Sequence, residues 1–417
     1  MKRGLRGCIS LPTLTTYVLV LVLTISGYLL FIDTLYNDYL LKYYNALQNT
    51  TDNHHIHRQN VVIRGARNSA LNSNNKNATP ISTNNMNDTR KSARILMWTQ
   101  YYGNKNFVNL MSQQSPIPPW CTVTFDRREY NRSDAVVFHG LTQDLHADDL
   151  PQYRLQSHIW VYWIIESPGY YNHDLKFLNS MAFNRTMSYR FDSDYPGPYG
   201  FSVKRTPLDG PLDQSLFDVQ KQAAKEPVAW MASHCGTLSR REHLIQQMDK
   251  LIPIAKYGTC GKLHCNRAEE LPCYKRLAQK YKFYLAFENS LCPGYITEKF
   301  SNALWAGLVP VVYGAGNYTD VLPHPRSWID LRDFGSIAEA SEFLMKLHQN
   351  ATAYVEYLQW HRYYTMRTRQ GFSGFARLCH AIAEGRHLKV ENGTDNRMAG
   401  TMWNPRTCPV GPKMVRL

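Results

Sequence analysis

Between residues 282 and 300 the chain reads KFYLAFENSLCPGYITEKF: an apolar run meets Glu288 and Asn289, and Tyr295, Glu298 and Lys299 follow within ten residues. An apolar run of this kind reads as a buried strand and Thr-Glu-Lys as the opening of a helix, so the polar groups crowd the mouth of a βα turn. A helix beginning near Ile296 offers unpaired N–H groups and the positive end of its dipole, which suits an anion. Lys299, joined by Arg241 from SRREHLIQQMDKLI (239–252), can neutralise phosphate, and Glu298 can accept from hydroxyl or N–H groups. A Thr-Glu-Lys triplet alone reads better as a solvated first turn than as a ligand site. The strand, the Asn-Ser step and the spacing together favour a ligand.

A second candidate is Glu166, at the end of the apolar run in HIWVYWIIES (158–167). Burial raises a carboxyl pKa, and a carboxylate beside a substrate hydroxyl can take its proton. The competing reading is a strand-end carboxylate that caps the next turn.

The elements around these residues alternate. PVAWMAS (227–233), PIAKYG closed by Gly258, KFYLAFE and LVPVVYG read as strands. The helices expected between them are the 239–252 segment, N-capped by Ser239, and TEKFSNALWAG ending at Gly307, with further helical segments at LAQKYKF and 337–347. Upstream, ARILMWT (93–99), AVVFHG (135–140) and HIWVYWIIES read as strands. Strand–helix–strand repeats predict parallel sheets in two α/β domains, with a ligand in the crevice at the strand C-termini. The chain divides into 1–10, 11–32, 33–92, 93–224, 225–375 and 376–417.

The 417 residues, 44% hydrophobic and 12% aromatic, exceed one ordinary domain. Residues 11–32 carry no charge and as a helix would reach about 33 Å, the thickness of a bilayer core. Lys2, Arg3 and Arg6 precede them, which leaves the short tail 1–10 cytoplasmic and makes the segment a type II signal-anchor; a cleaved signal peptide would have a shorter apolar region. Residues 33–92, rich in Asn, Ser and Thr, read as a flexible stem. Asn-X-Ser/Thr sequons at Asn49, Asn77, Asn87, Asn131, Asn184, Asn317, Asn350 and Asn392 all follow the anchor. Eight of the nine cysteines do too, which predicts disulfides in an oxidising lumen but leaves 105 pairings open. The 260/265/273 cluster leaves a zinc site as an alternative, although its spacing fits no common finger. The net charge of +14 is dispersed and carries no nucleic-acid motif, so a polyanionic small substrate is the better partner.

FYLAFENSLCPGYITEKFSNALWAGLVPVVYG resembles the signature of the α1,3-fucosyltransferases, inverting enzymes of the Golgi that take fucose from GDP-fucose. WVYWIIESP, YRFDSDYPGPYG and SHCGTLSRREHL resemble the family's acceptor motif, its YRxDSD…YG segment and its donor-binding Arg stretch. The resemblance covers most of 93–375. It implies two Rossmann-like domains facing a cleft, the GT-B arrangement, behind a transmembrane helix and stem. The acceptor domain comes first and the GDP-fucose domain second. It further implies Arg241, Asn289, Tyr295, Glu298 and Lys299 around the donor, Glu166 as general base, and a GlcNAc-containing N-glycan as acceptor in α1,3 linkage. YGTCGKLHC resembles the branch that acts on the N-glycan core.

Asp192-Ser-Asp194 looks like the DxD by which another glycosyltransferase class holds Mn²⁺, but it lies in the acceptor half. With Lys299 and Arg241 available to phosphate, no metal is expected and both aspartates read as structural. Two departures from the family pattern stand out. Gly294 replaces the usual acidic residue before the Tyr, and Ala376 replaces the first Cys of a Cys-x-x-Cys pair, leaving Cys379 for Cys408 or Cys121. The rival readings are a catalytically silent, membrane-tethered glycan-binding relative, and a nicotinamide enzyme, which lacks any G-x-G-x-x-G after a strand.

Overall fold

The computed structural model describes residues 92–104, 107–140, 149–170, 183, 185–265, 269–386 and 403–411, all within one compact unit, Asn85–Leu417. The expected tail, anchor and all of the stem but Ser92 lie outside the described residues, as do the sequons at Asn49, Asn77, Asn87, Asn184 and Asn392. Among the described residues no helix is long and apolar enough to cross a membrane.

The first lobe runs β1 (Ala93–Met97), α1 (Phe107–Gln114), β2 (Cys121–Thr124), β3 (Ala135–His139), β4 (Ile159–Ile164), β5 (Arg185–Ser188) and β6 (Gly200–Lys204). After α2 (Val219–Ala223) the second lobe runs β7 (Glu226–Met231), α3 (Arg241–Met248), β8 (Ile254–Tyr257), α4 (Glu270–Lys280), β9 (Tyr281–Phe287), α5 (Glu298–Ala306), β10 (Val309–Tyr313), β11 (Ile329–Asp330), α6 (Ile337–Gln349) and α7 (Ala351–Glu356). β12 (Tyr364–Thr368) and α8 (Ser373–Ala383) follow as the last strand and α-helix among the described residues.

Two parallel sheets are wound alike. The first has the order β2-β1-β3-β4-β5 and the second β8-β7-β9-β10-β11. Numbered within its own lobe, each is 2-1-3-4-5. In such an order the connections diverge between the first and third strands, and that point opens a crevice at the strand C-termini. In the second lobe the divergence lies between β7 and β9, so residues 232–239 and 288–297 meet there. A separate antiparallel pair, β6 with β12, lies against α5.

Strand β9 shows why the sequence folds this way. All seven residues of YKFYLAF are buried, as expected where helices cover both faces of a parallel sheet. Phe283, Leu285 and Phe287 join one core with Leu244, Met248 and Leu344, while Tyr284 and Ala286 join another with Phe300, Ala303 and Leu304. β4 does the same in the first lobe, with Val161 and Trp163 on one side and Trp160, Tyr162 and Ile164 on the other. Helix α5 ends at Gly307, whose φ of +95° would strain any residue with a Cβ, and whose Cβ position lies 2.7 Å from Leu216.

Two expectations are corrected here. The N-cap of α3 is Arg240 in left-handed backbone at φ 52°, not Ser239, whose hydroxyl instead donates to the Glu288 carbonyl at 2.7 Å. LAQKYKF is the end of α4 followed at once by β9, because Tyr281 is already extended. The last helix, α8, lies against the first lobe. Phe372, Phe375, Leu378 and Ile382 pack into the first lobe's core, where Cys379 is bonded to Cys121.

The described cysteines form Cys121–Cys379, Cys235–Cys260, Cys265–Cys273 and Cys292–Cys408. Disulfides therefore replace the zinc alternative at 260/265/273, because each of those sulfurs is spent on another sulfur.

Candidate active site

The site is assembled from the C-terminal ends of β4, β7 and β9. Glu166 follows β4, whose apolar residues bury the strand and leave the carboxylate at its mouth. Across from it, Tyr295 stands in the loop between β9 and α5. Its buried hydroxyl donates to Glu166 Oε2 at 2.9 Å, bringing together residues 129 apart in sequence. The Tyr295 ring packs edge-on to Tyr189 at 4.9 Å, and the Tyr199 hydroxyl donates to the Ile165 carbonyl at 2.9 Å. Burial pushes the Glu166 carboxyl above its ordinary range. The Tyr295 hydrogen bond and Lys299 pull it back in part, while Glu298 and Glu288 add to the rise. A carboxylate so placed is a stronger base than one in water.

The turn after β9 is held by Glu288, which is fully buried. Its Oε1 accepts from the Thr297 backbone N–H at 2.8 Å, and its Oε2 accepts from the Thr297 hydroxyl at 2.9 Å and the Lys299 ammonium at 3.2 Å. This capping carboxylate was not singled out as a site residue in the sequence, although it opens the stretch where the polar groups crowd. At the helix tip, the N–H of Thr297, the N-cap of α5, is bound by the protein's own anion. Burial raises the Glu288 carboxyl, against the pull of Lys299 and Thr297.

Lys299 reaches Thr297 Oγ1 at 2.7 Å and Glu298 Oε1 at 3.1 Å as well. Burial alone would lower its pKa, but the two carboxylates outweigh that and hold it well above the usual lysine range. Glu298 is likewise opposed by burial yet held below its ordinary value by Lys299. The ammonium stays charged at any working pH.

Arg241 is 2% exposed. Its guanidinium donates to the Phe287 carbonyl and the His234 carbonyl, each at 2.8 Å, and to Glu242 at 3.3 Å. In this arrangement it rivets the start of α3 to the ends of β7 and β9. Arg240 beside it is exposed. Asn289 gives its backbone carbonyl to the Ser239 N–H at 3.1 Å, while its buried side-chain oxygen and the Ser290 hydroxyl have no protein partner. Unpaired polar atoms at a strand end are what a polar ligand would satisfy.

The aspartates of the DSD triplet are engaged within the first lobe. Asp192 accepts two 2.8 Å hydrogen bonds from Arg190, and Asp194 accepts from the Thr186 backbone N–H and hydroxyl. Among the described residues no group of three or more His, Cys, Asp or Glu is placed to hold a metal ion. Gly294 has φ +71°, and its Cβ position lies 3.5 Å from the Arg190 side chain, which is paired with Asp192.

On the other rim, Tyr102 follows β1 in left-handed backbone at φ 50° and is 49% exposed. Its ring stands edge-on to Tyr101 at 4.8 Å and to His139 at 5.3 Å. That places an aromatic face at the first lobe's own divergence point, between β1 and β3. Tyr102 was not among the expected site residues, because nothing local marks a loop tyrosine as functional.

Two parallel-sheet lobes thus meet with a carboxylate between them. The model of glycosyltransferase family 10 (fucosyltransferase), C-terminal part, matches residues 221–395, and that of the fucosyltransferase N-terminal part matches 90–200. Alpha-(1,3)-fucosyltransferase C of Drosophila melanogaster is 32% identical over 300 residues, covering 65% of this chain and 69% of its own. A 3-galactosyl-N-acetylglucosaminide 4-alpha-L-fucosyltransferase of Bos taurus is 36% identical over 294 residues, covering 69% and 76%. A crystal structure of an alpha1,3-fucosyltransferase with GDP-fucose superimposes with a TM-score of 0.47 at 15% identity, covering 76% of this chain and 95% of that one. The chain belongs to glycosyltransferase family 10, the fucosyltransferases.

Proposed function

We propose that the protein transfers L-fucose from GDP-fucose, with inversion, to a GlcNAc hydroxyl of glycoprotein N-glycans in α1,3 linkage, and that Glu166 is the general base. The observation that carries this reading is the meeting of Glu166 with Tyr295, a base candidate from one lobe against the polar loop of the other. Membership of the fucosyltransferases supports fucose as the group transferred.

In the reaction the acceptor hydroxyl gives its proton to Glu166 while its oxygen bonds to the anomeric carbon from the face opposite the leaving group. The bond from that carbon to the β-phosphate oxygen breaks, and GDP departs with the electron pair. Lys299, kept cationic by Glu288 and Glu298, offsets the charge that grows on the phosphate. Asn289 and Glu298 supply hydrogen-bonding groups for the nucleotide. Arg241 serves by holding the loop that carries them.

The anchor at 11–32, the stem to residue 92 and the post-anchor sequons support a single-pass type II protein of the Golgi membrane with a lumenal catalytic part. The described sequon asparagines, Asn131, Asn317 and Asn350, are all exposed, which suits such a compartment. The test is incubation of the protein with labelled GDP-fucose and a panel of N-glycan acceptors, core and antennal. Label transferred to GlcNAc with inverted anomeric configuration supports the reading. Transfer from another nucleotide sugar, or none with any acceptor, overturns it.

A further inference from the structure

The segment 403–411 lies beyond the 221–395 match to the family model, yet it touches the two elements that meet at the base. Trp403 is buried, its ring 5.8 Å from Tyr162 in β4 and 5.8 Å from Tyr189, the residue that packs on Tyr295. Five residues on, Cys408 is bonded to Cys292, three positions before Tyr295. The first lobe presses on the same bond: a Cβ on Gly169, three positions after Glu166, would lie 3.2 Å from Cys292 Sγ and 3.2 Å from Cys408 Cβ. At its far end, Gly411 donates its N–H to the Leu238 carbonyl at 3.0 Å and accepts from the Tyr313 hydroxyl at 3.3 Å.

We propose that segment 403–411 is a strap of the active site, whose bond from Cys408 to Cys292 and whose Trp403 wedge hold the 292–295 loop against the turn after Glu166, so that the Tyr295 hydroxyl stays on the base. Cys292, Cys408 and Trp403 are then positioning residues, acting through Tyr295. The inference rests on Glu166 being the base. A staple that served stability alone could sit anywhere on the surface. This one lies between the two partners of the hydrogen bond, and its wedge packs against both β4 and the Tyr189 ring behind Tyr295.

The strap must therefore tune Glu166. Facing that carboxylate are Tyr295, Tyr199, Glu288, Glu298 and Lys299, with Tyr189 behind Tyr295. Of these, only Tyr295 is carried on the loop that the Cys408 bond tethers directly. The Tyr295 hydrogen bond acts to lower the Glu166 pKa, so releasing the loop moves the acidic limb of the rate profile to higher pH.

The experiment uses the full chain in four forms: wild type, Cys408→Ser, Trp403→Ala, and Cys265→Ser with Cys273→Ser as a disulfide loss at another place in the second lobe. With GDP-fucose as donor, Cys408→Ser should lower kcat about 10- to 100-fold, with the acceptor KM much less changed, and move the acidic limb of kcat/KM upward. Trp403→Ala should do the same in smaller measure. Tyr295→Phe should show the same limb shift, and Tyr295→Phe with Cys408→Ser should add nothing to it. The Cys265/Cys273 variant should lower the melting temperature and leave the limb in place. A Cys408→Ser protein that melts lower but keeps the wild-type kcat and limb overturns the strap. Should the wild type transfer no fucose, the enzymatic reading fails separately, and hydrogen exchange then judges the strap. The amides of 289–297 should exchange about tenfold faster in Cys408→Ser than in wild type, and equal exchange overturns it.

Discussion

Tyr295 donates its hydroxyl hydrogen to Glu166 across 2.9 Å, and this one bond joins the end of a strand in the first sheet to a loop of the second. Everything else in the cleft is arranged around it. The Tyr189 ring backs the tyrosine, Lys299 and Glu288 hold the helix that follows it, and Tyr199 fixes the backbone just before the glutamate.

Replacing Glu166 by Gln keeps the shape and removes the proton acceptor. Transfer should fall by at least about 100-fold, the usual scale for a general base, while GDP still raises the melting temperature as in wild type. A Glu166→Gln protein with wild-type turnover would remove this carboxylate from the chemistry.

The pH dependence has a definite sign. Glu166 must be ionised to accept a proton, and burial raises its pKa, so kcat/KM should fall as pH drops through a value above the ordinary carboxyl range. Tyr295→Phe deletes a contact that favours the ionised form. The limb should therefore shift to higher pH, with the alkaline side unmoved; a shift to lower pH would contradict the geometry.

Glu288 is the structural counterpart. Glu288→Ala leaves the Thr297 N–H without its buried acceptor and Lys299 with one carboxylate instead of two, at an expected loss of about 1–3 kcal/mol in chemical denaturation. Glu288→Gln keeps an oxygen for Thr297 and should lose less. Equal losses would mean that the charge pairing matters more than the cap.

Lys299→Gln should weaken GDP binding by about 10- to 100-fold in calorimetry, the worth of one charge-assisted contact. If that cation offsets phosphate as proposed, no metal is required and EDTA should leave wild-type transfer unchanged; loss of activity restored by Mn²⁺ would refute this part of the mechanism.

Tyr102→Ala should raise the acceptor KM several-fold and leave the donor KM and the melting temperature near wild type, because the exposed ring adds little to the core. Unchanged acceptor KM would show that the sugar does not use this rim.

Much of this was legible in the sequence where local pattern and burial agree. KFYLAFE is so apolar that it can only be a covered strand, and TEKFSNALWAG carries both its helical face and its terminal glycine. Glu166 could be found because a carboxylate at the end of such a run is conspicuous. What local pattern could not supply was contact made over long distances. Strands β2, β5 and β11 are too short to announce themselves, and β12 finds its partner only through β6. The same limit explains Arg241. Its sequence neighbourhood advertises a positive charge, but only the folded turn reveals two carbonyls waiting for its guanidinium. The choice between Cys121 and Cys408 as partner of Cys379 was likewise open until α8 was seen against β1.

The bond from Cys121 to Cys379 spans 258 positions, which sets an order of events at the ribosome. At about 5–20 residues per second, roughly 10–50 s pass between the emergence of one thiol and the synthesis of its mate. Over that interval the earliest-made sheet lacks the helix that walls its core, and Cys121 remains open to oxidants and to the other thiols. The half born first therefore waits on a helix from near the other end of the chain, and a nascent chain stopped short of residue 379 leaves that half unfinished.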